Sequence, residues 1–216
     1  MRTALNMMLN TSKDLGNRGI DNYRQNFYVL SKIVEEIGEI REELDKAIAG
    51  QEEGKDGIGG EAVDLIINLI DLYSLQVQHK LSPEEIEKKI NKEIGASLEN
   101  HLRYDVHAVE DNGFSLSEEL FKGLIYSQMN ISIHCQVADG LSYKVRTEEK
   151  FLEEILVAVK DTLKIFWVSQ NIDNIFHLSE EDIAISEETE YVISLFNKTV
   201  YNKVNKWRKI RDLTLF

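Results

Sequence analysis

Residues 61–80, EAVDLIINLIDLYSLQVQHK, carry the pattern that decides the fold. Apolar side chains cover most of the circumference of a helix drawn over this stretch, which is typical of a helix buried on nearly all sides. The polar exceptions before Ser74 fall within roughly 80° of arc on that helix. They are Glu61, Asp64, Asn68 and Asp71. The stretch therefore predicts a buried helix that carries one line of polar, mostly acidic side chains.

The preceding segment, from about residue 22 to residue 49, predicts a partner helix. Its apolar side chains recur every three or four positions and form one stripe. Glu36, Glu39 and Glu43 lie on a face that borders this stripe. A glycine-rich loop at residues 50–60 joins the two helices. Two antiparallel helices with this connection bring their acidic lines face to face.

The rest of the chain predicts further helices, so the fold class is all-α, a helical bundle. Ser82 and Glu85 have the spacing of a capping box that opens a third helix, ending near residue 101. Ser115 or Ser117 is suited to cap a fourth helix, which ends near Val137.

Thr147 is suited to cap a fifth helix, from Glu148 to Ser169. A polar stretch follows at residues 170–186, and a last helix is predicted at residues 187–211. The succession of helices thus occurs twice, around a centre near residue 108. This order predicts a weak tandem duplication, although any all-α chain of this size can form two helical hairpins.

We assign residues 1–105 to a catalytic helical unit. Residues 106–216 are assigned to a degenerate repeat or helical cover that packs on it as one globular domain. The second half lacks the acid set, because Val157 stands in the register of Asp64. Glu154 and Asp161 stand in the registers of Glu61 and Asn68, and the facing helix carries Ser127, Gln128 and Asn130 in place of glutamates.

Composition restricts the function classes. The formal net charge is −13, which argues against nucleic acid as a partner. No apolar stretch is long enough to cross a membrane or to serve as a secretory signal. The single cysteine, Cys135, excludes an internal disulfide and fits a reducing cytoplasm. We therefore expect a cytoplasmic protein with no nucleic acid and no membrane as partner.

The two acidic lines predict a metal site. Burying an unpaired carboxylate costs several kcal/mol, so these acids need cations. Mg²⁺ prefers carboxylate oxygens and keeps water and substrate phosphates as its other ligands; Mn²⁺ is the alternative ion. Two other interpretations remain open, namely a solvated charged face on the first helix and ion pairs with lysines of another helix for the second.

The sequence Glu35-Glu36-Ile37-Gly38-Glu39, followed after the loop by Glu61-Ala62-Val63-Asp64, resembles the signature of the all-α NTP pyrophosphatases. That superfamily includes the MazG-like enzymes and the dimeric dUTPases. The resemblance implies a hydrolase that converts a nucleoside triphosphate, most simply a dNTP, into the monophosphate and pyrophosphate. It implies Glu36, Glu39, Glu61 and Asp64 as magnesium ligands.

The resemblance also implies roles for residues beyond the metal ligands. Glu35 would orient or deprotonate the attacking water, so the catalytic set is Glu35, Glu36 and Glu39. Lys32 would contact phosphate, and Asn68 would face the nucleotide.

A second similarity lies in YNKVNKWR, residues 201–208. It is similar to a phosphate-binding run of the dimeric dUTPases, with Tyr201 where that family has lysine. The similarity implies substrate contacts by Asn202, Lys203, Asn205 and Arg208. The alternative for this run is a basic helix end that is stabilised by the helix dipole.

Two alternatives to a general NTP pyrophosphohydrolase stay open. One is a dUTPase or dCTPase of the same superfamily, and the other is a non-catalytic helical module that binds nucleotide or metal. We also expect a homodimer, because an isolated helical hairpin buries too little surface.

Overall fold

The computed structural model describes residues 26–77, 80–82, 84–92, 113–138, 148–175 and 194–206, together with residues 7 and 209. Within these ranges the regular elements are helices and none is a strand, so the all-α prediction is confirmed. The helices are α1 (Asn26–Ile48), α2 (Gly57–Val77), α3 (residues 84–92), α4 (Gly113–Ala138), α5 (Glu148–Ile175) and α6 (residues 194–206).

Helix α1 ends in a glycine-dependent turn. Gly50 has a φ of 66°, a left-handed conformation that other residues adopt at a cost. Its N–H donates to the carbonyl of Ala47, and the N–H of Gln51 donates to the carbonyl of Lys46. These two bonds satisfy carbonyls that the helix end would leave unpaired, as in a Schellman motif. The turn directs the chain towards α2.

Helix α2 begins earlier than the sequence predicts. Residues 57–60 were expected in the loop, but they form the first turn of the helix and are buried. Gly57 has a φ of 60°, and the N–H of Ile58 donates to the Glu53 carboxylate at 3.1 Å. This contact caps the helix, and burial of Ile58 outweighs the low helix propensity of the glycines.

Helix α2 is the centre of the core. Its buried residues occupy nearly every position, as its sequence predicts. It packs against α1 on one side and against α5 on the other, while α4 packs on α5 and on α1. Phe166 of α5 meets Phe196 of α6 edge to face, with ring centroids 5.3 Å apart. This contact anchors α6 against α5. The first hairpin is formed by α1 and α2.

The capping box of α3 is confirmed. The N–H of Ser82 donates to the Glu85 carboxylate at 2.7 Å, and the N–H of Glu85 donates to the Ser82 hydroxyl at 3.3 Å. Ile86 and Ile90 lie on the buried side of the helix.

The predicted start of α4 is wrong, because the helix already begins at Gly113 and Ser115 and Ser117 lie inside it. Several neighbouring residues are suited to a helix start, so the pattern alone does not select one of them. Helix α5 begins at Glu148 as predicted but continues past Ser169 to Ile175. Residues 170–175 contain neither glycine nor proline, so their polarity does not interrupt the helix.

Several predicted segments lie outside the described residues. They are residues 22–25, the end of the third helix with the connector after it at residues 93–112, and most of the polar stretch before α6. Among the helices that are described, none combines the length and the apolar character needed to span a membrane.

Candidate metal centre beside a lysine-lined cleft

Three glutamates of the first hairpin converge. Glu36 and Glu39 stand one turn apart on α1, and Glu61 faces them from the first turns of α2. One carboxylate oxygen from each lies within 4.8 Å of the others. Oxygens at this separation can share a single divalent ion. The structure thus brings together three of the four residues predicted as metal ligands.

Glu36 is the most deeply placed of the three, with 8% of its surface exposed. Its Oε1 accepts a hydrogen bond of 3.3 Å from the Asn68 amide. Its Oε2 is buried and has no hydrogen-bond partner among the described residues. A buried carboxylate oxygen without a donor is costly, and a bound cation would remove that cost. The donor set therefore fits a hard divalent ion such as Mg²⁺.

Burial and neighbouring carboxylates raise the pKa values of two glutamates in the cluster. Burial raises the pKa of Glu36 to about 8, and the neighbouring carboxylates, first among them Asp64, add to the rise. Burial also raises the pKa of Glu61 to about 7, although the charge of Lys203 opposes the effect. Perturbed carboxylates of this kind are common at functional sites.

Asp64 has a cation of its own. The Lys203 ammonium donates to Asp64 Oδ2 at 2.5 Å, and it lies 3.8 Å from the Glu61 carboxylate. Asp64 Oδ1 is buried and has no hydrogen-bond partner among the described residues. Burial raises the pKa of Asp64 in spite of Lys203. One alternative from the sequence was that the acids of the second helix form ion pairs with lysines of another helix. For one oxygen of Asp64 this alternative holds.

Asp56, just before α2, extends the ion-pair network. It accepts hydrogen bonds from Lys203 at 2.9 Å and from Lys206 at 2.8 Å. Hydrogen bonds from these lysines hold the pKa of Asp56 below its usual value. Lys203 is thus shared by Asp56, Asp64 and Glu61, and it joins α6 to the site.

A cleft of about 670 Å³ adjoins the network. Its volume is within the range of small-molecule sites. Lysines dominate its lining, with two amides and a hydroxyl between them: Lys55, Lys203, Lys206, Lys209, Asn202, Asn205 and Thr199. Asp56 and Gly60 complete the lining and connect the cleft to the acidic cluster. Ammonium and amide groups in this density suit a polyanion such as a phosphate chain.

The structure places the other predicted substrate residues in two groups. Asn68 contacts Glu36 and therefore supports the metal cluster. Asn202, Lys203 and Asn205 line the cleft, and their contact with a substrate stays a prediction. Arg208 lies outside the described residues.

Lys32 and Glu35 are two further predicted site residues, and both lie on α1. They form an ion pair of 2.5 Å with each other one turn apart on α1, and both side chains are partly exposed. The three-glutamate group does not include Glu35. The geometry therefore supports Glu36 and Glu39 as site residues but not Glu35, whose carboxylate is held by Lys32.

Glu43, the third acid on the predicted face of α1, has a structural role. Its carboxylate accepts hydrogen bonds from the Lys46 ammonium at 2.6 Å and from the Gly54 N–H at 2.5 Å. It thereby fastens the loop that carries Asp56. The contacts with Lys46 and Gly54 lower the pKa of Glu43 despite the cost of its burial.

Sequence reasoning did not identify Asp56, Lys55, Lys206 and Lys209 as site residues. Asp56 and Lys55 belong to a segment that looked like an ordinary charged loop, and Lys206 and Lys209 to a run that resembles a basic helix end. The spacing of Asn202, Lys203, Lys206 and Lys209 along one helix side is the one signal that points to a cationic face.

Comparisons of the chain with known protein families, with curated proteins and with solved structures find no match. The chemistry of the site therefore follows from its own residues.

Proposed function

We propose that this protein is a Mg²⁺-dependent nucleoside triphosphate pyrophosphohydrolase of the all-α, MazG-like type. The observation that carries the proposal is the adjacency of two complementary features. A three-glutamate group suited to one divalent ion lies next to a lysine-lined cleft of about 670 Å³. A triphosphate with its metal ion presents a hard cation, which suits the glutamates, and several negative charges, which suit the lysines.

Glu36, Glu39 and Glu61 would hold the ion. When bound, Mg²⁺ supplies neutralisation of phosphate charge and activation of a water. Asn68 orients Glu36 through its amide. Such a contact to a ligand oxygen keeps the carboxylate in a binding geometry.

The cleft would hold the phosphate chain. Lys206 is half exposed and Lys209 is exposed, so their ammonium groups are available to a ligand. Asn202 and Asn205 add neutral donors along the same side. A triphosphate held there would have the glutamates beside it, because Asp56 and Gly60 connect the cleft to the acidic cluster.

In the reaction, a water oxygen bonds to the α-phosphorus, and the bond from that phosphorus to the bridging oxygen breaks. Pyrophosphate leaves and the nucleoside monophosphate remains. Glu39 is the exposed member of the three glutamates and accepts the proton that the water gives up.

A second candidate is a non-catalytic helical module, in which internal ion pairs take the place of a metal. The contact of Lys203 with Asp64 at 2.5 Å favours it, because that lysine neutralises one acid without any bound ion. Under this alternative the cleft binds a phosphorylated ligand without turnover.

A hydrolysis assay separates the two candidates. The full chain is incubated with each common NTP and dNTP in Mg²⁺, and released pyrophosphate is measured. We expect turnover that falls at least about 100-fold in Glu39→Gln, since the variant loses a ligand and a proton acceptor. The matched control is Glu42→Gln, an exposed glutamate one turn further along α1 whose carboxylate contacts Lys46 at 2.8 Å.

The control variant should retain the parent rate within about twofold, as exposed ion pairs contribute little. Equal loss in both variants contradicts the role of Glu39. An inert parent with every nucleotide contradicts the enzymatic proposal and favours the binding module.

A further inference from the structure

The Lys203 ammonium occupies a position that a metal ion would otherwise take. It lies 2.5 Å from Asp64, 2.9 Å from Asp56 and 3.8 Å from Glu61. Three carboxylates around one point are the usual environment of a divalent cation. Here a side chain of the protein supplies the positive charge at that point.

Lys203 is held in this position from several sides. The side chain is 4% exposed, although lysine is almost never fully buried without partners. Its neighbours Val200 and Val204 are fully buried and anchor α6. A Cβ at Gly60 would come within 3.1 Å of its Cε, so the lysine stem lies directly against the α2 backbone. The ammonium is therefore a fixed part of the site.

The charges around the site divide into two sets. Lys203 and Lys206 together balance Asp56 and Asp64. Glu36 and Glu39 remain, together with Glu61, whose carboxylate lies at the longer distance of 3.8 Å from the Lys203 ammonium, and one oxygen of Glu36 is buried without a hydrogen-bond partner among the described residues. One divalent ion nearly balances three carboxylates, whereas a second ion would have to displace Lys203 from Asp64.

We propose that Lys203 is a built-in second cation, so that the site takes one divalent ion, at the three glutamates, before any substrate arrives. Metal centres of paired acidic helices have enough carboxylates for two ions. In this protein Lys203 of α6 takes the second place. The inference rests on the proposed metal site but not on turnover.

The test is the number of Mn²⁺ ions bound without nucleotide. Mn²⁺ replaces Mg²⁺ at oxygen sites, and its free concentration can be followed by its electron paramagnetic resonance signal. We expect the full-length parent to bind one Mn²⁺ per chain. Lys203→Met keeps the apolar stem and removes the charge, and it should bind two.

Two variants serve as controls. Lys203→Arg keeps the positive charge and should stay at one ion. Lys206→Met removes a lysine that contacts Asp56 but is half exposed, and it should also stay at one. A second ion in Lys206→Met would mean that any loss of charge nearby opens the site, which contradicts a specific role of Lys203.

The parent alone keeps the inference testable if Lys203→Met does not fold. Two Mn²⁺ ions in the parent, or one in a folded Lys203→Met, overturn the inference and leave the proposed function standing. One ion in the parent and two in Lys203→Met, without hydrolysis of any nucleotide, support the inference and overturn the enzymatic function. No Mn²⁺ in the parent overturns the metal centre on which both depend.

Discussion

The two helical hairpins differ in the partners that their acidic side chains meet. In the first hairpin, α1–α2, Glu36, Glu39 and Glu61 converge. The neighbouring Asp64 is neutralised by Lys203, which comes from α6, far along the chain. In the second hairpin, α4–α5, the acids meet partners that are close at hand. Glu154 accepts a hydrogen bond of 3.3 Å from Asn130, and it lies 3.6 Å from Lys150, one turn earlier on its own helix.

One register makes the difference visible. Asp64 is 7% exposed, whereas Val157, the residue that the predicted duplication aligns with it, is 38% exposed. Aspartate is ordinarily exposed and valine is ordinarily buried, and these two positions show the reverse. Such a reversal persists only where a specific partner stabilises the charge. The comparison indicates that the first hairpin keeps its acids for a cation, while the second hairpin serves as packing.

The largest expected difference between the hairpins is in activity. Glu61→Gln removes a carboxylate from the three-glutamate group and should lower pyrophosphate release at least about 100-fold. Glu154→Gln changes the residue of the second hairpin that the predicted duplication aligns with Glu61. Its rate should stay within about twofold of the parent, because Asn130 can hydrogen-bond to the glutamine oxygen. Comparable losses in both variants would show that the hairpins share the chemistry.

The next effect concerns the dependence of stability on pH. The pKa of Glu36 is raised from 4.5 to about 8, so in the metal-free protein the folded chain binds more protons than the unfolded chain between these values. The free energy of unfolding therefore falls as pH rises through this interval, by about 3 to 4 kcal/mol from pH 5 to pH 8. Urea unfolding at a series of pH values in chelator measures it.

Two conditions should reduce this dependence. Glu36→Gln removes one titrating group and leaves that of Glu61, whose pKa is raised to about 7, and saturating Mg²⁺ stabilises the ionised cluster at high pH. Asp161→Asn is the control in the second hairpin, where burial raises the pKa of Asp161 but Lys164 lies 3.9 Å away. A slope that survives in Glu36→Gln and vanishes in Asp161→Asn would reverse the roles of the two hairpins.

The smallest effect comes from one added methyl group. A Cβ at Gly60 would lie 2.9 Å from Asp56 Cβ and 3.1 Å from Lys203 Cε, which are stems that cannot move freely. Gly60→Ala should therefore destabilise the fold by about 1 kcal/mol despite the better helix propensity of alanine. In the second hairpin, a Cβ at Gly123 would meet the tip of Asp161, which can turn away.

Gly123→Ala should accordingly leave the stability unchanged or raise it slightly. Thermal unfolding of both variants beside the parent measures the difference. Equal destabilisation would mean that the contacts of Gly60 with the ion-pair network are no tighter than those of Gly123.

The main elements of the fold were predictable from the sequence. Residues 61–80 have a helical period and almost no polar side chains outside one line, so burial of α2 and the position of its acids follow from the pattern. The capping box of α3 was predictable as well, because it depends only on the spacing of Ser82 and Glu85. The convergence of Glu36, Glu39 and Glu61 also followed, because a short loop between two amphipathic helices leaves few ways to pack them.

The pairing of cations with carboxylates depends on long-range contacts, which the local periodicity of the sequence does not contain. Lys203 and Asp64 are 139 positions apart in the chain, and no spacing rule joins them. The ion pair of Lys32 with Glu35 was compatible with the sequence, but only the structure shows that these two side chains meet. The sequence therefore determined which helices form and which faces are acidic. The tertiary structure decided which cation meets which carboxylate, because charge pairing depends on distances of a few ångströms that packing alone sets.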